Sequence, residues 1–241
     1  MREIVLDTET TGLESENGDR IIEIGVVELI NHVSTGKIFH KYINPQITGK
    51  MPEEAYRVHG LTTEFLSDKP IFSEIIDELF DFIGDSKIVI HNAKFDIKFL
   101  NDEINRVKTD FPRIYKTLDF KEINLNRTID TLEIAKKMYP GKSVSLDSLC
   151  LKFAIDTKKR VKHDALLDSQ ILSEVYLELI GGKQPGFVFQ NVKKHIDIER
   201  KNPLSKRAKF NRSVKLENRL TQQELTEHKE FISNLDSNIW Y

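Results

Sequence analysis

The chain has 241 residues and a mass of 28.0 kDa; 39% of the residues are apolar and 31% are charged. This length can bury one hydrophobic core with a tail, but not two large domains. A membrane-spanning helix needs roughly 20 apolar residues and a signal peptide needs a long apolar run, and we find neither pattern. With Cys150 as its single cysteine, the chain forms no internal disulfide, so a cytoplasmic globular protein is expected.

Charge is distributed unevenly along the sequence. Residues 181–241 carry 12 Lys and Arg against 7 Asp and Glu, whereas residues 1–180 carry 24 against 31. An acidic body followed by a basic tail indicates two parts with different tasks. An acidic body repels polyanions unless its carboxylates hold cations.

The first part of the body has the pattern of β-strands. Residues 3–6 and 21–30 are rich in β-branched residues, and residues 37–43 alternate between polar and apolar. A turn cluster at 31–36 separates the last two segments. We predict an antiparallel meander of three strands. Further on, Pro52 opens a short helix, and apolar residues at helical spacing predict a helix over 70–83.

Strands and helices then alternate. The pattern predicts strands at 87–90 and 127–130, and four helices at 96–107, 131–138, 145–153 and 165–180. A meander followed by such alternation is typical of an α/β fold with a mixed sheet flanked by helices.

The last part of the chain differs in composition. Residues 183–220 lack sustained periodicity and are rich in Lys and Arg, which predicts a flexible basic linker. A short helix is expected over 221–235, because Thr221 can cap it and Glu224 lies at capping-box spacing. We therefore divide the chain into a domain over 1–182, the linker over 183–220 and a C-terminal segment over 221–241, in which Trp240 and Tyr241 resemble an interface anchor.

Three short motifs place carboxylates at the ends of predicted elements. Asp7 and Glu9 follow the first strand and, as residues i and i+2, point the same way. Asp96 lies near the start of a helix. His163 precedes the last helix of the body, and Asp168 lies in its first turns, so the two can converge although five residues separate them.

Each motif alone has an ordinary explanation, as a solvated strand end, a helix cap or a solvated helix start. Together they supply what a two-metal phosphodiester hydrolase needs. Like-charged carboxylates repel unless a cation lies between them, and Mg²⁺ and Mn²⁺ prefer oxygen ligands. A histidine, with an ordinary pKa of roughly 6.5, can take a proton from water. Zinc-protease, P-loop and Rossmann motifs were not found.

The same motifs resemble those of a known family. DTETTG, HNAKFD and HDALLD occur in the order and spacing of the three motifs of DEDDh 3′–5′ exonucleases. The phrases RVHGLT, PGKSVSLDSLC and ALLDSQILSEVYLEL resemble the proofreading subunits of bacterial DNA polymerase III. The resemblance covers residues 1–182 well. It implies a ribonuclease-H-like, mixed five-stranded sheet flanked by helices, and a metal-dependent exodeoxyribonuclease that removes mismatched 3′-terminal nucleotides.

The resemblance also implies roles for single residues. Asp7, Glu9 and Asp168 would hold the first of two Mg²⁺ or Mn²⁺ ions and contact the substrate. The second ion would lie against Asp7 and the substrate phosphate, with Asp96 acting largely through water. His163 would be the general base.

Further residues would contact the substrate alone. On the same resemblance, Glu54 and His59 would hold the 3′-terminal nucleotide, and Leu13 would pack against the terminal base.

Several partners follow from the resemblance. DNA, at the 3′ end of the nascent strand, would be the substrate, and the C-terminal segment would bind the catalytic alpha subunit of polymerase III. A small third core subunit is a further implied partner. Gln184 with Phe187 and Phe189 resembles a sliding-clamp peptide, although a plain linker fits this stretch equally well. No membrane partner is expected.

Two other functions remain open at this point. A stand-alone DEDDh exonuclease that acts on RNA has the same motifs, but it needs no long basic tail. A non-catalytic scaffold that joins polymerase and clamp has no use for four converging carboxylates.

Overall fold

The fold is that of a computed structural model, which describes residues 1–110, 122–158, 160, 162–181 and 220–233. The chain divides into two units, Met1–Val188 and Phe189–Tyr241. The predicted linker apart from Leu220, the stretch resembling a clamp peptide, and Trp240 with Tyr241 lie outside the described residues. The domain boundaries therefore stay a prediction.

Five strands form one mixed sheet: β1 (Arg2–Thr10), β2 (Ile21–Ile30), β3 (Val33–Tyr42), β4 (Lys87–Ile90) and β5 (Thr128–Asp130). Their order in the sheet is β3-β2-β1-β4-β5. The first three strands are an antiparallel meander, whereas β4 runs parallel to β1 and β5 runs parallel to β4. The predicted α/β fold with a mixed five-stranded sheet is confirmed.

One strand begins earlier than the sequence predicted. β3 starts at Val33 and not at residue 37, because only Asn31 and His32 form the turn after β2. Both residues have positive φ, 50° and 66°. A two-residue turn of this kind matches the twist of a hairpin, so the strands pair right up to it.

Helices cover the sheet close to the predicted positions. They are α1 (Glu53–His59), α2 (Thr63–Leu66), α3 (Phe72–Ile83), α4 (Ala93–Asp110), α5 (Thr131–Met138), α6 (Leu146–Phe153), α7 (Ala165–Leu179) and, in the second unit, α8 (Gln222–Ser233). α2 was not predicted, and α4 begins three residues earlier than expected. None of the helices in the described part of the chain combines the length and the apolar character needed to cross a membrane.

The core has a layer on each face of the sheet. Ile4 and Leu6 of β1 pack on one face with buried residues of α3 and α4, including Ile76 and Leu100. Val5, between them in sequence, packs on the other face with residues of α7. This alternation follows from the two-residue period of a strand, and it leaves the end of β1 between two helical layers.

The start of α7 lies against β2 without room for a side chain at Gly25. A Cβ atom at this position would lie 2.2–2.3 Å from backbone atoms of Ala165 and Leu166. The Ser169 hydroxyl donates a hydrogen bond to the carbonyl of Gly25 at 2.7 Å. Because Gly25 pairs with Asp7 across the sheet, the first turns of α7 are held beside the end of β1.

In the second unit, α8 has the predicted capping box. The backbone N–H of Thr221 donates to Glu224 Oε2 at 2.7 Å, and the backbone N–H of Glu224 donates to Thr221 Oγ1 at 3.2 Å. These reciprocal bonds satisfy two donors that the helix itself leaves unpaired.

Gly25→Ala should push the start of α7 away from β2. We expect the free energy of unfolding to fall by at least about 2 kcal/mol, because neighbouring backbone cannot yield as a flexible side chain can. Binding of Mn²⁺, measured by titration calorimetry, should weaken with it. Gly36→Ala is the control: its positive φ of 80° strains an alanine, but the space around it is open. That variant should keep its Mn²⁺ affinity, and normal affinity in Gly25→Ala would contradict this account.

Candidate active site

Two of the four predicted carboxylates lie at the end of β1. Asp7 is partly buried and Glu9 is buried. β1 is hydrogen-bonded on both sides, to β2 along its length and to β4 at its start. Pairing with β2 continues through Asp7 and Glu9, and these two side chains lie on the same face of the strand, as their i and i+2 spacing predicted.

Asp96 enters the site from the first turn of α4. The backbone N–H groups of Asn92 and Ala93, where a helix cap is needed, donate instead to the carboxylate of Asp130, each at 3.1 Å. Asp130 also caps α5, and this borrowed cap lets α4 begin at Ala93. Asp96 is thus free of the capping task and accepts a hydrogen bond from the Thr8 hydroxyl at 2.7 Å.

The third motif converges as its spacing required. His163 lies in the loop before α7, Asp168 lies in the first turns of that helix, and their Nδ1 and Oδ2 atoms are 3.0 Å apart. Asp164, between them, caps α7 by accepting a hydrogen bond from the Leu167 N–H. The His163 N–H donates to the carbonyl of Val58, which ties this loop to α1.

These groups form one cluster of like charge. Oxygen and nitrogen atoms of Glu9, His163 and Asp168 all lie within 4.8 Å of one another. Burial raises the pKa of Asp7 well above its ordinary value, and repulsion from Asp96, Glu9 and Asp168 raises it further. Such a cluster binds protons or cations.

The pKa values of Glu9 and Asp96 are raised as well. Burial, followed by the charge of Asp168, raises the pKa of Glu9 to about 8. Burial raises the pKa of Asp96 to about 7, although the hydrogen bond from Thr8 opposes this shift. Near neutral pH these groups therefore lie close to their titration points.

A positively charged side chain already touches the cluster. The guanidinium of Arg160 donates from Nη2 to Asp168 Oδ2 and contacts Nδ1 of His163, both at 2.7 Å. Sequence analysis missed this residue, because a basic residue three positions before His163 gives no signal of where it points.

The cluster fits a divalent cation. Its ligand atoms are hard carboxylate oxygens, which Mg²⁺ and Mn²⁺ prefer. Asp168 Oδ1 is buried and accepts no hydrogen bond from the described residues, but it lies 2.5 Å from Nε of the Arg160 guanidinium. Arg160 thus shows that a cation is accommodated beside Asp168.

The predicted substrate contacts occupy different positions. His59 is buried, and its Nδ1 accepts a hydrogen bond from the Leu61 N–H at 2.9 Å. It lines a cavity of about 260 Å³ together with His163. Glu54 is exposed on α1, and Leu13 is 80% exposed after β1. Their roles stay predictions, although an exposed leucine is available to pack against a base.

The electrostatic environment of His59 agrees with a neutral ring. Burial, followed by the charges of Lys162 and His163, lowers its pKa to about 4. Since its Nδ1 accepts a hydrogen bond, the proton is on Nε2, which is buried and has no partner among the described residues. His59 therefore has one donor without a hydrogen-bond partner among the described residues.

A second group with metal-ligand character lies nearby, formed by Glu23, His40 and Asp164. His40 Nε2 lies 2.6 Å from Glu23 Oε1, and Asp164 is engaged as the cap of α7. His40 and Glu23 thus satisfy each other and Asp164 is satisfied by the helix, in contrast to the carboxylates at the end of β1.

Comparison with known proteins supports the family expected from the motifs. The profile of the family described as Exonuclease matches residues 4–176. DNA polymerase III subunit epsilon of Rickettsia conorii is 45% identical over 235 residues, covering 98% of this chain and 96% of the relative. The Escherichia coli K12 protein of the same name is 48% identical over 186 residues, covering 76% of this chain and 72% of the relative.

A solved structure shows the same fold. The nuclease domain of 3′hExo, described as a DEDDh family member bound to rAMP, superposes with a TM-score of 0.59 at 18% identity. The match covers 74% of this chain and 91% of that domain. At this identity the likeness concerns the fold alone.

The cluster predicts an unusual dependence of stability on pH. Without divalent cations, the free energy of unfolding should fall as pH rises from about 5 to 8. Glu9 below its folded-state pKa of about 8, and Asp96 below its folded-state pKa of about 7, hold protons in the folded state that the unfolded chain has already released. Each such proton contributes a slope of about 1.4 kcal/mol per pH unit.

Urea unfolding in EDTA at several pH values measures this slope. Glu9→Gln should make it shallower, whereas Glu174→Gln, on the exposed side of α7, should leave it unchanged. Saturating Mg²⁺ should abolish the decline, because the cation binds the ionised carboxylates. A slope in EDTA that Glu9→Gln leaves unaltered would count against the cluster.

Proposed function

The chain belongs to the exonuclease family and, within it, to the epsilon subunits of bacterial DNA polymerase III, and we infer that it removes mismatched 3′-terminal nucleotides for that polymerase. The observation that carries this inference is the convergence of Asp7, Glu9, Asp96 and Asp168 beside His163. Neighbouring acidic groups whose pKa values are raised by burial and mutual repulsion are typical of a cation-binding site.

We assign the roles as follows. Asp7, Glu9 and Asp168 would hold one divalent cation, and Asp7 with the substrate phosphate would hold a second, near Asp96. The ions are Mg²⁺ or Mn²⁺. When bound, two such cations activate a water molecule and stabilise the leaving oxygen of a phosphodiester.

The protein's own groups orient the substrate and move the proton. His163, whose side chain is 43% exposed, reaches solvent and can take the proton of the attacking water at a ring nitrogen. His59, with its free Nε2–H, and Glu54 are assigned to the terminal nucleotide, and Leu13 to its base. Asp7, Glu9 and Asp168 contact the same nucleotide through its phosphate.

Selectivity for mismatches needs little readout of bases. A mismatched end unpairs more easily than a matched one, so it reaches a single-strand site more often. Basic residues beside the site favour the DNA backbone: Arg57, Arg160 and Lys162 line a cleft of about 490 Å³ that also contains His163. They offset the repulsion between the acidic body and DNA.

The alternatives are less well supported. A non-catalytic scaffold would keep four neighbouring carboxylates at a cost in stability and without a use for them. A stand-alone RNA exonuclease would share the site, but this chain matches the polymerase subunit over 98% of its length, tail included.

Association with the polymerase is assigned to the C-terminal segment. On α8, Phe231 is 64% exposed, and Leu225 and Ile232, seven residues apart, share one face. We propose that this segment binds the catalytic alpha subunit in the cytoplasm. A small third core subunit and the sliding clamp, through residues 184–189, are further proposed partners.

Activity should follow the carboxylates and the state of the primer end. Purified protein in Mg²⁺ should shorten 5′-labelled DNA from the 3′ end, and mismatched ends faster than matched ends, because they fray. Asp7→Asn should lower the rate by at least a thousandfold. Asp77→Asn, the same change on the exposed side of α3, is the control and should retain full activity. Faster degradation of single-stranded RNA than of mismatched DNA would favour the stand-alone alternative.

Binding to the polymerase should depend on the apolar residues of α8. Phe231→Ser should weaken binding of the catalytic subunit at least tenfold in surface plasmon resonance, since exposed aromatic residues often dominate interfaces. Lys229→Ser, on the same helix, should have little effect and exonuclease activity should persist in both. If Phe231→Ser and the parent protein bind the catalytic subunit with equal affinity, the interface does not include this face of α8.

A further inference from the structure

The positively charged side chain of Arg160 contacts the carboxylate cluster at Asp168. Its side chain is only 8% exposed, although it lies in a loop. On its outer side Nη1 donates to Asp147, and on its inner side the guanidinium faces Asp168 and His163. An arginine buried at this depth pays a desolvation cost, which its partners must offset.

Arg160 engages both oxygens of Asp168. Nη2 donates to Oδ2 at 2.7 Å, and Nε lies 2.5 Å from Oδ1. The second contact is an ion pair without a hydrogen bond, because neither Nε nor Oδ1 has a hydrogen-bond partner among the described residues. Half of this fork is therefore poorly aligned, unlike a good bidentate arginine–carboxylate pair.

The same guanidinium also determines which ring nitrogen of His163 accepts a hydrogen bond. Nη2 lies 2.7 Å from His163 Nδ1 and is a donor only, so Nδ1 accepts this hydrogen bond and carries no proton. Asp168 Oδ2, 3.0 Å from the same nitrogen, is thereby denied a hydrogen bond from His163. Arg160 thus takes the hydrogen-bonding positions through which these two neighbouring groups would otherwise pair with each other.

We propose that Arg160 is a positioning residue that competes with the divalent cation for Asp168, so that cation binding releases the guanidinium and sets the metal concentration at which the site assembles. The proposal rests on the function above, in which Asp168 is a metal ligand. A divalent ion and a guanidinium within 3 Å of the same two oxygens repel each other strongly. Only one of them can hold Asp168 fully.

The surroundings offer the released side chain a place. Arg160 lines the cleft that also contains Arg57 and Lys162, and its partner Asp147 lies on the exposed side. If the ion pair with Asp147 is retained, the guanidinium would move away from Asp168 and still lie in the cleft. There it adds to the positive charge that faces a DNA backbone.

Metal binding tests this competition directly. Binding of Mn²⁺ to EDTA-treated protein would be measured by electron paramagnetic resonance of the free ion. Arg160→Gln should bind the first Mn²⁺ about ten- to a hundredfold more tightly, the range expected when a charged hydrogen bond no longer has to break. Arg57→Gln removes the same charge from the cleft, where Arg57 pairs with exposed Glu53, and should change the affinity less than twofold.

A further variant separates this proposal from the assigned function. Asp168→Asn should abolish the tight Mn²⁺ site; if it does not, the proposed function fails at that residue, whatever Arg160 does. If Asp168→Asn behaves as expected but Arg160→Gln binds Mn²⁺ with unchanged or lower affinity, the competition is wrong and Arg160 supports the site merely as structure.

A spectroscopic measurement on the unaltered chain avoids any folding defect of Arg160→Gln. The ¹⁵Nε–H signal of Arg160, identified by its loss in Arg160→Lys, would be followed during titration with Mg²⁺. It should shift and narrow in parallel with binding, as the buried side chain becomes mobile. A signal that stays in place at saturating Mg²⁺ would overturn the proposal.

Discussion

The close contact between the start of α7 and β2 at Gly25 is the constraint on which the site depends. Asp7 and Glu9 are fixed by the sheet, but Asp168 and His163 come from a segment more than 150 residues later in the sequence. They reach the end of β1 because a glycine lets helix backbone approach strand backbone, and because Ser169 bonds to its carbonyl. The ordinary rules of close packing thus bring together groups that repel.

The repulsion between these carboxylates is relieved when cations bind to them. Burial and neighbouring charges raise the pKa values of Asp7, Glu9 and Asp96, so the cluster destabilises the folded state when it is ionised and uncompensated. Divalent cations turn the same arrangement into a stabilising one. The protein therefore gives up stability at this point of the fold, as functional sites commonly do. Arg160 offsets part of that cost from within the chain.

Much of this could be predicted from the sequence, because the decisive patterns are local. The spacing of Asp7 and Glu9 fixes their common side on a strand, and the loop position of His163 allows it to meet Asp168. The strands and most helices were predicted within a few residues for the same reason. β3 began earlier, since a two-residue turn with positive φ is not distinguished by composition from a longer one.

The remaining features depend on contacts between distant segments. Nothing near Gly25 indicates that α7 will pack on it, and nothing near Arg160 indicates which carboxylate it meets. The cap of α4 comes from Asp130 on β5, so the ordinary explanation of Asp96 as a helix cap could be excluded only in three dimensions. Such pairings follow from topology and not from any local pattern.

The central claim is that the carboxylates at the end of β1 form a site for two divalent cations. A crystal structure with Mn²⁺ and a nucleoside 5′-monophosphate, analysed by anomalous scattering, tests it most directly. The account predicts two manganese peaks, one enclosed by Asp7, Glu9 and Asp168 and the other between Asp7 and the phosphate. Strong peaks only at Glu23, His40 and Asp164, or none near Asp7, would contradict it.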